Sequence, residues 1–382
     1  MRKDLSLYIH IPFCESKCIY CNFVSSVETP DKQKQYEQCL LSEIKLRAKQ
    51  YNPLYTIRTI YIGGGTPSCL TAGVIKRILS TIYLNFTVQN DAEITIEVNP
   101  NTITEEKVQE YIAAGVNRVS IGLQCAQGGL LKFLGRKHTY ADFEKCVKLF
   151  RARNLNNISV DIIIGLPKQS QDDVKTTVTN LIKLNIPHIS AYMLSVEDET
   201  PLKEMVDNQQ VFLPKEKETI KMYALTASLL KKAGYTRYEV SNFAKPGYKS
   251  KHNQVYWNRQ DYLGLGLAAH SYIHPVRMAN TDELDEYISF MEQNKIPLSD
   301  AEKISTEEAK EECVMLSLRT AQGLDTTAYA NEFKENILQT KKAQIHKLIQ
   351  LKLLKLTEDG FLQATDAGFM LLNRIILELV NT

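Results

Sequence analysis

Six short apolar runs, each followed by a stretch of helical periodicity, constrain this chain more than any other feature. They span residues 5–11, 56–62, 92–98, 117–124, 158–165 and 188–194. The first helix is expected over 31–50, with Tyr36, Leu40, Ile44 and Ala48 on one face. Others run from a Thr71 cap to about Leu84, from Thr104 to near Gly115, and over 140–153 and 171–184. Strands alternating with helices predict an α/β fold of parallel βαβ units with right-handed crossovers. Periodicity leaves an open doubly wound sheet and a barrel as alternatives. In both, ligands gather where strands end. Five unusual features fall there: the loop 14–21, the turn 63–67, Glu97, Gln124, and Asp161 within the fifth run.

The loop after the first strand carries Cys14, Cys18 and Cys21 at C-x3-C-x2-C. Structural zinc takes four ligands, usually as two spaced pairs. Here three thiols share one loop, and no further cysteine or histidine follows closely. Three thiolates on a four-iron cubane leave one iron open, and an open iron can chelate a small molecule. The spacing therefore points to an iron–sulfur site rather than zinc or free thiols. Cys39, Cys69, Cys125, Cys146 and Cys313 are scattered and read as buried thiols. Eight cysteines in 382 residues do not make a disulfide framework, so a reducing, cytoplasmic setting is expected. The start, Met1 to Asp4, leads directly into a strand, with no signal peptide expected. No apolar run reaches the length of a membrane span.

The stretch YIHIPFCESKCIYCNF, residues 8–23, resembles the signature loop of the radical S-adenosylmethionine (SAM) superfamily, on the branch of the oxygen-independent coproporphyrinogen oxidases. The resemblance covers nearly the whole chain. It implies an incomplete (β/α)6 barrel, a 4Fe-4S cluster on Cys14, Cys18 and Cys21, and SAM chelated at the open iron. It further implies SAM contacts at Tyr8, Tyr20, Gly64, Gly65, Thr66, Glu97, Gln124, Arg136 and Asp161. The chemistry agrees. GGGTPS at 63–68 lets backbone approach a ligand and has no phosphate-loop spacing. Glu97 can accept from a ribose or an amino group, and Arg136 can clamp a carboxylate in bidentate fashion. Asp161, flanked by Val160 and Ile162, is expected to be buried and paired, because an isolated buried carboxylate costs several kcal/mol.

Two departures bear on function. Phe23 stands where coproporphyrinogen oxidases carry a fourth cysteine, and only seven residues precede Tyr8. The stretch HNQVYW, with His252, Asn253, Tyr256 and Trp257, looks like the haem-binding motif of the HemW haem chaperones. Imidazole is a common haem ligand, and flat aromatic side chains suit a porphyrin face. Lys249 and Lys251 could meet propionates, and His270 and His274 are further candidates. This implies a haem chaperone, with an oxygen-independent coproporphyrinogen III oxidase, or a radical SAM enzyme on another substrate, as alternatives. The partners implied are haem and an unidentified haem-accepting protein. Transient membrane contact and either a monomer or a dimer are compatible with the chain.

The rest reads as a first domain over 1–280, with a haem-binding loop near 249–274, and a mainly helical, winged-helix-like domain over 281–382. Within the first, a helix is expected near 216–233 and a strand at 236–243. Within the second, helices are expected over 303–320, over 343–351 and at the end to about Val380, with two short strands around Asp359-Gly360. With 46 basic and 44 acidic residues, net charge +2, nothing points to nucleic acid.

Overall fold

The computed structural model describes residues 2–380; Met1, from which the chain was read straight into a strand, lies outside them. The six expected strands are present and parallel: β1 (Lys3–Ile11), β2 (Tyr55–Gly64), β3 (Val88–Val98), β4 (Arg118–Gln124), β5 (Ile158–Ile164) and β6 (His188–Met193). Each alternates, with one set of side chains turned out to the helices and the other into the barrel. The outward set is apolar and buried, as with Leu7, Ile9, Ile60, Ile62, Ile96, Val119, Ile121, Val160 and Ile189. The inward set is polar: Tyr8 and His10, Thr59 and Tyr61, Thr95 and Glu97, Arg118 and Ser120, Ser159 and Asp161, His188 and Ser190. Parallel barrels usually fill their interior with branched apolar residues. This one lines its interior with groups that need partners.

The barrel does not close. Nine further strands, in chain order, are β7 (Thr236–Arg237), β8 (Asn242–Ala244), β9 (Tyr262–Leu265), β10 (His270–Ile273), β11 (Val276–Asn280), β12 (Leu298–Lys303), β13 (Leu324–Asp325), β14 (Leu354–Leu356) and β15 (Phe361–Ala364). The first six of these extend the sheet to twelve strands, with β8 and β7 beyond β6 and β9 to β12 beyond β1. Only β9 continues parallel, alongside β1. The expected single strand at 236–243 is split at Tyr238–Ser241, where Glu239 turns in and is almost fully buried. The expected loop near 249–274 is instead the helix Lys251–Trp257, then β9 and β10. The region after 281 is mainly helical as expected, with β12, which pairs with β11, as a strand the sequence reading did not include. Cys39, Cys125 and Cys146 are buried as expected, whereas Cys69 and Cys313 are half-exposed.

A buried polar network fastens the β9 side to the barrel. Glu43, on the helix Pro30–Tyr51, accepts from the Gly266 amide, Asn280 Nδ2 and the Tyr287 hydroxyl, each at 2.8 Å. Arg47 lies 3.8 Å from Glu43 and donates to Asn280 Oδ1 at 3.1 Å. Tyr287, Ile288 and Met291, from the helix Leu284–Glu292, join the barrel core. A second core centres on Val314, Leu318, Tyr329, Leu362 and Ile375. It belongs to a mainly helical module around the antiparallel sheet β13-β15-β14. The Asp359-Gly360 turn joins β14 to β15 as expected. Arg259–Glu332 and Arg237–Asp366 ion pairs tie this module to the barrel. Among the described residues no helix is long and apolar enough to cross a membrane.

Glu43 is fully buried, and burial holds its carboxyl above the ordinary value even with Arg47 beside it. Glu43→Ala strips three donors and one cation of their acceptor. It is expected to lower unfolding free energy by about 3 kcal/mol in urea titration, and Glu43→Gln by less. An unchanged midpoint in Glu43→Ala would show that the network does not hold this edge.

Candidate functional site

The C-terminal ends of the strands converge on one rim. The cysteine loop leaves β1 with little regular structure and is braced from beneath. His10 Nε2 meets the Val24 carbonyl at 2.9 Å, and its Nδ1 meets the Tyr8 hydroxyl at 3.0 Å. The turn after β2 supplies a second brace. Gly65 and Thr66 donate their amides to the Ile11 and Phe13 carbonyls at 2.8 and 2.7 Å. A Cβ on Gly65 would lie 2.7 Å from the Phe13 oxygen, and one on Gly64 (φ 110°) 2.5 Å from the His10 ring. The glycines are thus required for contact with the cysteine loop as well as for leaving backbone open to a ligand.

Cys14, Cys18 and Cys21 are all free and half-exposed on this loop, and among the described residues no set of three ligands is preassembled for a metal ion. Burial raises the Cys21 thiol above its ordinary value, and the neighbouring Cys18 and Cys14 add to this. Arg136 is close enough to feel all three sulfurs. It donates to Asn99 Oδ1 at 2.9 Å and to the Gly122 carbonyl at 3.4 Å, while its buried Nε has no partner. Three thiols, a fixed guanidinium and an orphaned N–H together suit a cluster with one open iron and a carboxylate-bearing ligand on it.

Glu97 faces the same space. It accepts from the Tyr61 hydroxyl at 2.7 Å and the Gly64 amide at 3.2 Å, and burial pushes its carboxyl up to about 7. Asp161 is paired as expected, by the Ser120 hydroxyl at 3.2 Å and by Ser190, although the residue is only part-buried overall; burial raises its carboxyl above the ordinary value, and among the described residues no cation lies within ion-pair distance. Gln124 sits at φ 69°, in the left-handed region, where β4 ends in a bulge. Non-glycine residues held there cluster at functional sites. Tyr8 stacks on Tyr61 at 6.3 Å between ring centroids. Tyr20 packs on a small cluster of Cys125, Leu131, Leu134, Ile163 and Leu166. Phe23 is 62% exposed.

His252 lies at the opposite end. The helix Lys251–Trp257 crosses beneath the barrel between β8 and β9 and plugs its floor. Glu93, buried on β3, accepts from the Lys251 and His252 amides at 3.0 Å each. His252 is 1% exposed. Its Nδ1 meets Thr59 Oγ1 at 2.7 Å, its Nε2 meets the Tyr256 hydroxyl at 2.8 Å, and its ring stacks on Tyr61 at 5.1 Å. In this conformation neither nitrogen is free for iron. Asn253, Tyr256 and Trp257 are half-buried, and Lys249 and Lys251 are exposed. The structure therefore gathers SAM candidates and the three cysteines toward the mouth, with HNQVYW one layer below them, where His252 stacks on Tyr61, the partner of Glu97. Sequence reasoning missed His10, Tyr61, Asn99 and Arg118. For His10, Tyr61 and Arg118 the signal was the alternation of polar with apolar residues along each strand, whereas Asn99 lies just past the end of β3.

Comparison with known proteins gives consistent matches. The profile described as "Radical SAM superfamily" matches residues 8–181, and that of the HemN C-terminal domain matches 304–371. The heme chaperone HemW of Lactococcus lactis is 34% identical over 98% of this chain and 97% of its own. That of Bacillus subtilis is 34% identical over 87% and 88%. The solved coproporphyrinogen III oxidase HemN of Escherichia coli superposes with a TM-score of 0.86 at 23% identity, covering 100% of this chain and 91% of that one. That likeness concerns the fold.

Burial holds His252 neutral, its midpoint lowered to about 3 from 6.5. Protonation then favours the unfolded chain, so this contribution is present above about pH 6.5 and is lost as pH falls toward 3. His252→Ala, which also orphans Thr59 and Tyr256, is expected to cost about 2 kcal/mol at pH 7.5 and to flatten the acid side of the stability profile. Denaturant titration at several pH values reads both. A variant as stable and as acid-sensitive as wild type would contradict the plug.

Proposed function

The chain belongs to the radical SAM superfamily, on the branch that holds HemN and the HemW haem chaperones, and from that membership we propose that it is a haem chaperone. It binds haem and passes it to an acceptor protein, and it carries a 4Fe-4S cluster with SAM at the open iron. The observation that carries this reading is the match to HemW chaperones over nearly the full length, together with Phe23 where the oxidases have a cysteine.

In this reading Cys14, Cys18 and Cys21 hold the cluster, which supplies one-electron chemistry to SAM when bound. The chain's own groups do the positioning. Arg136 offers its unpaired Nε to the SAM carboxylate, and the Gly64–Thr66 backbone and Glu97 receive the amino group. Asp161 and Gln124 line the rest of the pocket, and Tyr8 and Tyr20 flank it. Haem is received at the helix Lys251–Trp257, with Asn253, Tyr256 and Trp257 on its partly open side and Lys249 and Lys251 toward the propionates. His252 reaches iron only when this helix lifts from the floor and gives up its bonds to Thr59 and Tyr256. Cytoplasmic placement and the division near residue 280 belong to the same proposal.

Two measurements test it. Anaerobic haem titration of cluster-reconstituted protein, followed by Soret absorbance, should saturate at a fixed haem-to-chain ratio and weaken in His252→Ala and Trp257→Ala with cluster content unchanged. Wild type that does not saturate would turn the reading to coproporphyrinogen oxidation, with decarboxylation of coproporphyrinogen as the assay. SAM affinity should strengthen as pH rises through about 7, because the ionised Glu97 is the form that accepts from an ammonium. In Glu97→Gln binding should be weaker and flat over this range. The same slope in Glu97→Gln would remove Glu97 from the site.

A further inference from the structure

Arg118 opens β4 and points into the barrel, where it is 1% exposed and among the largest fully buried side chains. Its Nε has no partner, and its guanidinium makes no hydrogen bond or ion pair with any described residue. A buried, unpaired charge is costly unless its field stabilises groups it does not touch. The groups within that field are defined. In the register of β3 on β4, Arg118 lies opposite Thr95, and the next inward residue, Ser120, lies opposite Glu97 and bonds Asp161, so both carboxylates stand one inward step toward the mouth from Arg118, with Tyr61 bonded to Glu97. Toward the floor are His188, His252 and Tyr238.

The floor groups do not compensate Arg118. His188 is bonded at both nitrogens, to Ser159 at 2.7 Å and to Tyr238 at 2.8 Å, as His252 is to Thr59 and Tyr256. Both imidazoles are held neutral by burial and by the Arg118 charge. Glu93 is engaged with the floor helix, and Glu239 accepts from the Ser241 amide at 3.0 Å. Glu97 also faces Tyr8, Tyr192 and Tyr256, and Asp161 faces Arg136 and Tyr192.

We propose that Arg118 is a positioning residue for the SAM site. Its charge acts across a gap to favour the ionised form of Glu97 and Asp161 while leaving the remaining lone pairs of their oxygens free for the ammonium and hydroxyl groups of SAM. A direct salt bridge would draw a carboxylate toward the floor and occupy those lone pairs. A stand-off cation does not, and in a weakly screened interior its field still reaches. The assignment rests on the reading of Glu97 and Asp161 as SAM contacts.

The test titrates the carboxyl carbons of 13C-labelled protein without SAM, with Glu97→Gln and Asp161→Asn used for assignment. Arg118→Met should raise both midpoints by about one unit or more, a tenfold change in proton affinity, while Arg118→Lys should stay near wild type. Arg118→Gln stands in if the methionine variant does not fold. SAM affinity at pH 7 should fall about tenfold in Arg118→Met and recover toward pH 9. Unmoved midpoints, a lysine variant that behaves like methionine, or a SAM loss equal at every pH would each overturn the role. Because the titration needs no SAM, wild type that binds none would defeat the reading of the site, while the midpoints would still decide whether Arg118 acts on the carboxylates.

Discussion

The structure depends on a division of labour within each parallel strand. A strand buried on both faces must satisfy two environments, and here they are opposite. Outward residues such as Ile60, Ile96, Ile121 and Val160 meet helices and supply the apolar burial that drives folding. Inward residues such as Tyr61, Glu97, Ser120 and Asp161 enclose a polar interior in which buried groups must find partners or ligands. Most find them in one another: Tyr61 with Glu97, Ser120 with Asp161, Thr59 with His252, Ser159 with His188. Among those that do not, Arg118 and the Arg136 Nε carry charge and mark where the interior is organised for something beyond its own packing.

From that division follow two separate ends. At the mouth, the cysteine loop is too short and irregular to hold itself. His10 below it and the glycine turn beside it fix it by backbone contacts that tolerate no side chain at Gly64 or Gly65. At the floor, Glu93 holds the N-terminus of the Lys251–Trp257 helix, and His252 fills the space beneath Tyr61. The aromatic column Tyr8–Tyr61–His252 joins the two ends through the interior, so a displacement of the floor helix would be felt by the group that supports Glu97. A chaperone that links haem release to its cluster end would need such a connection.

Much of this was legible beforehand. The six strands and their helices follow from apolar runs, caps and turn residues, and the cysteine spacing announced the rim. The residues at strand ends converge there because a parallel barrel brings all its C-terminal ends together, so linear position sufficed. The stretch around His252 was not legible in the same way. Its glycines and aromatics suggested a loop, but Ser250 caps a helix whose histidine is drawn under the barrel by Thr59 and Tyr61, residues nearly two hundred positions earlier. The split at Tyr238–Ser241 and the pairing of β12 likewise depend on partners supplied by distant segments. Asp161 could be recognised as unusual, but its two serine partners on neighbouring strands could not.

The sequence alone determined the alternation, the thiol spacing, the glycine turn and the acidic and amide residues at strand ends, because each is a local pattern with a local physical cause. Only the tertiary structure decided that the interior is lined largely by polar groups, that Arg118 stands unpaired beneath two carboxylates, and that His252 closes the floor. Those facts depend on which faces meet across the barrel, and the register between strands, rather than any run of residues, sets that meeting.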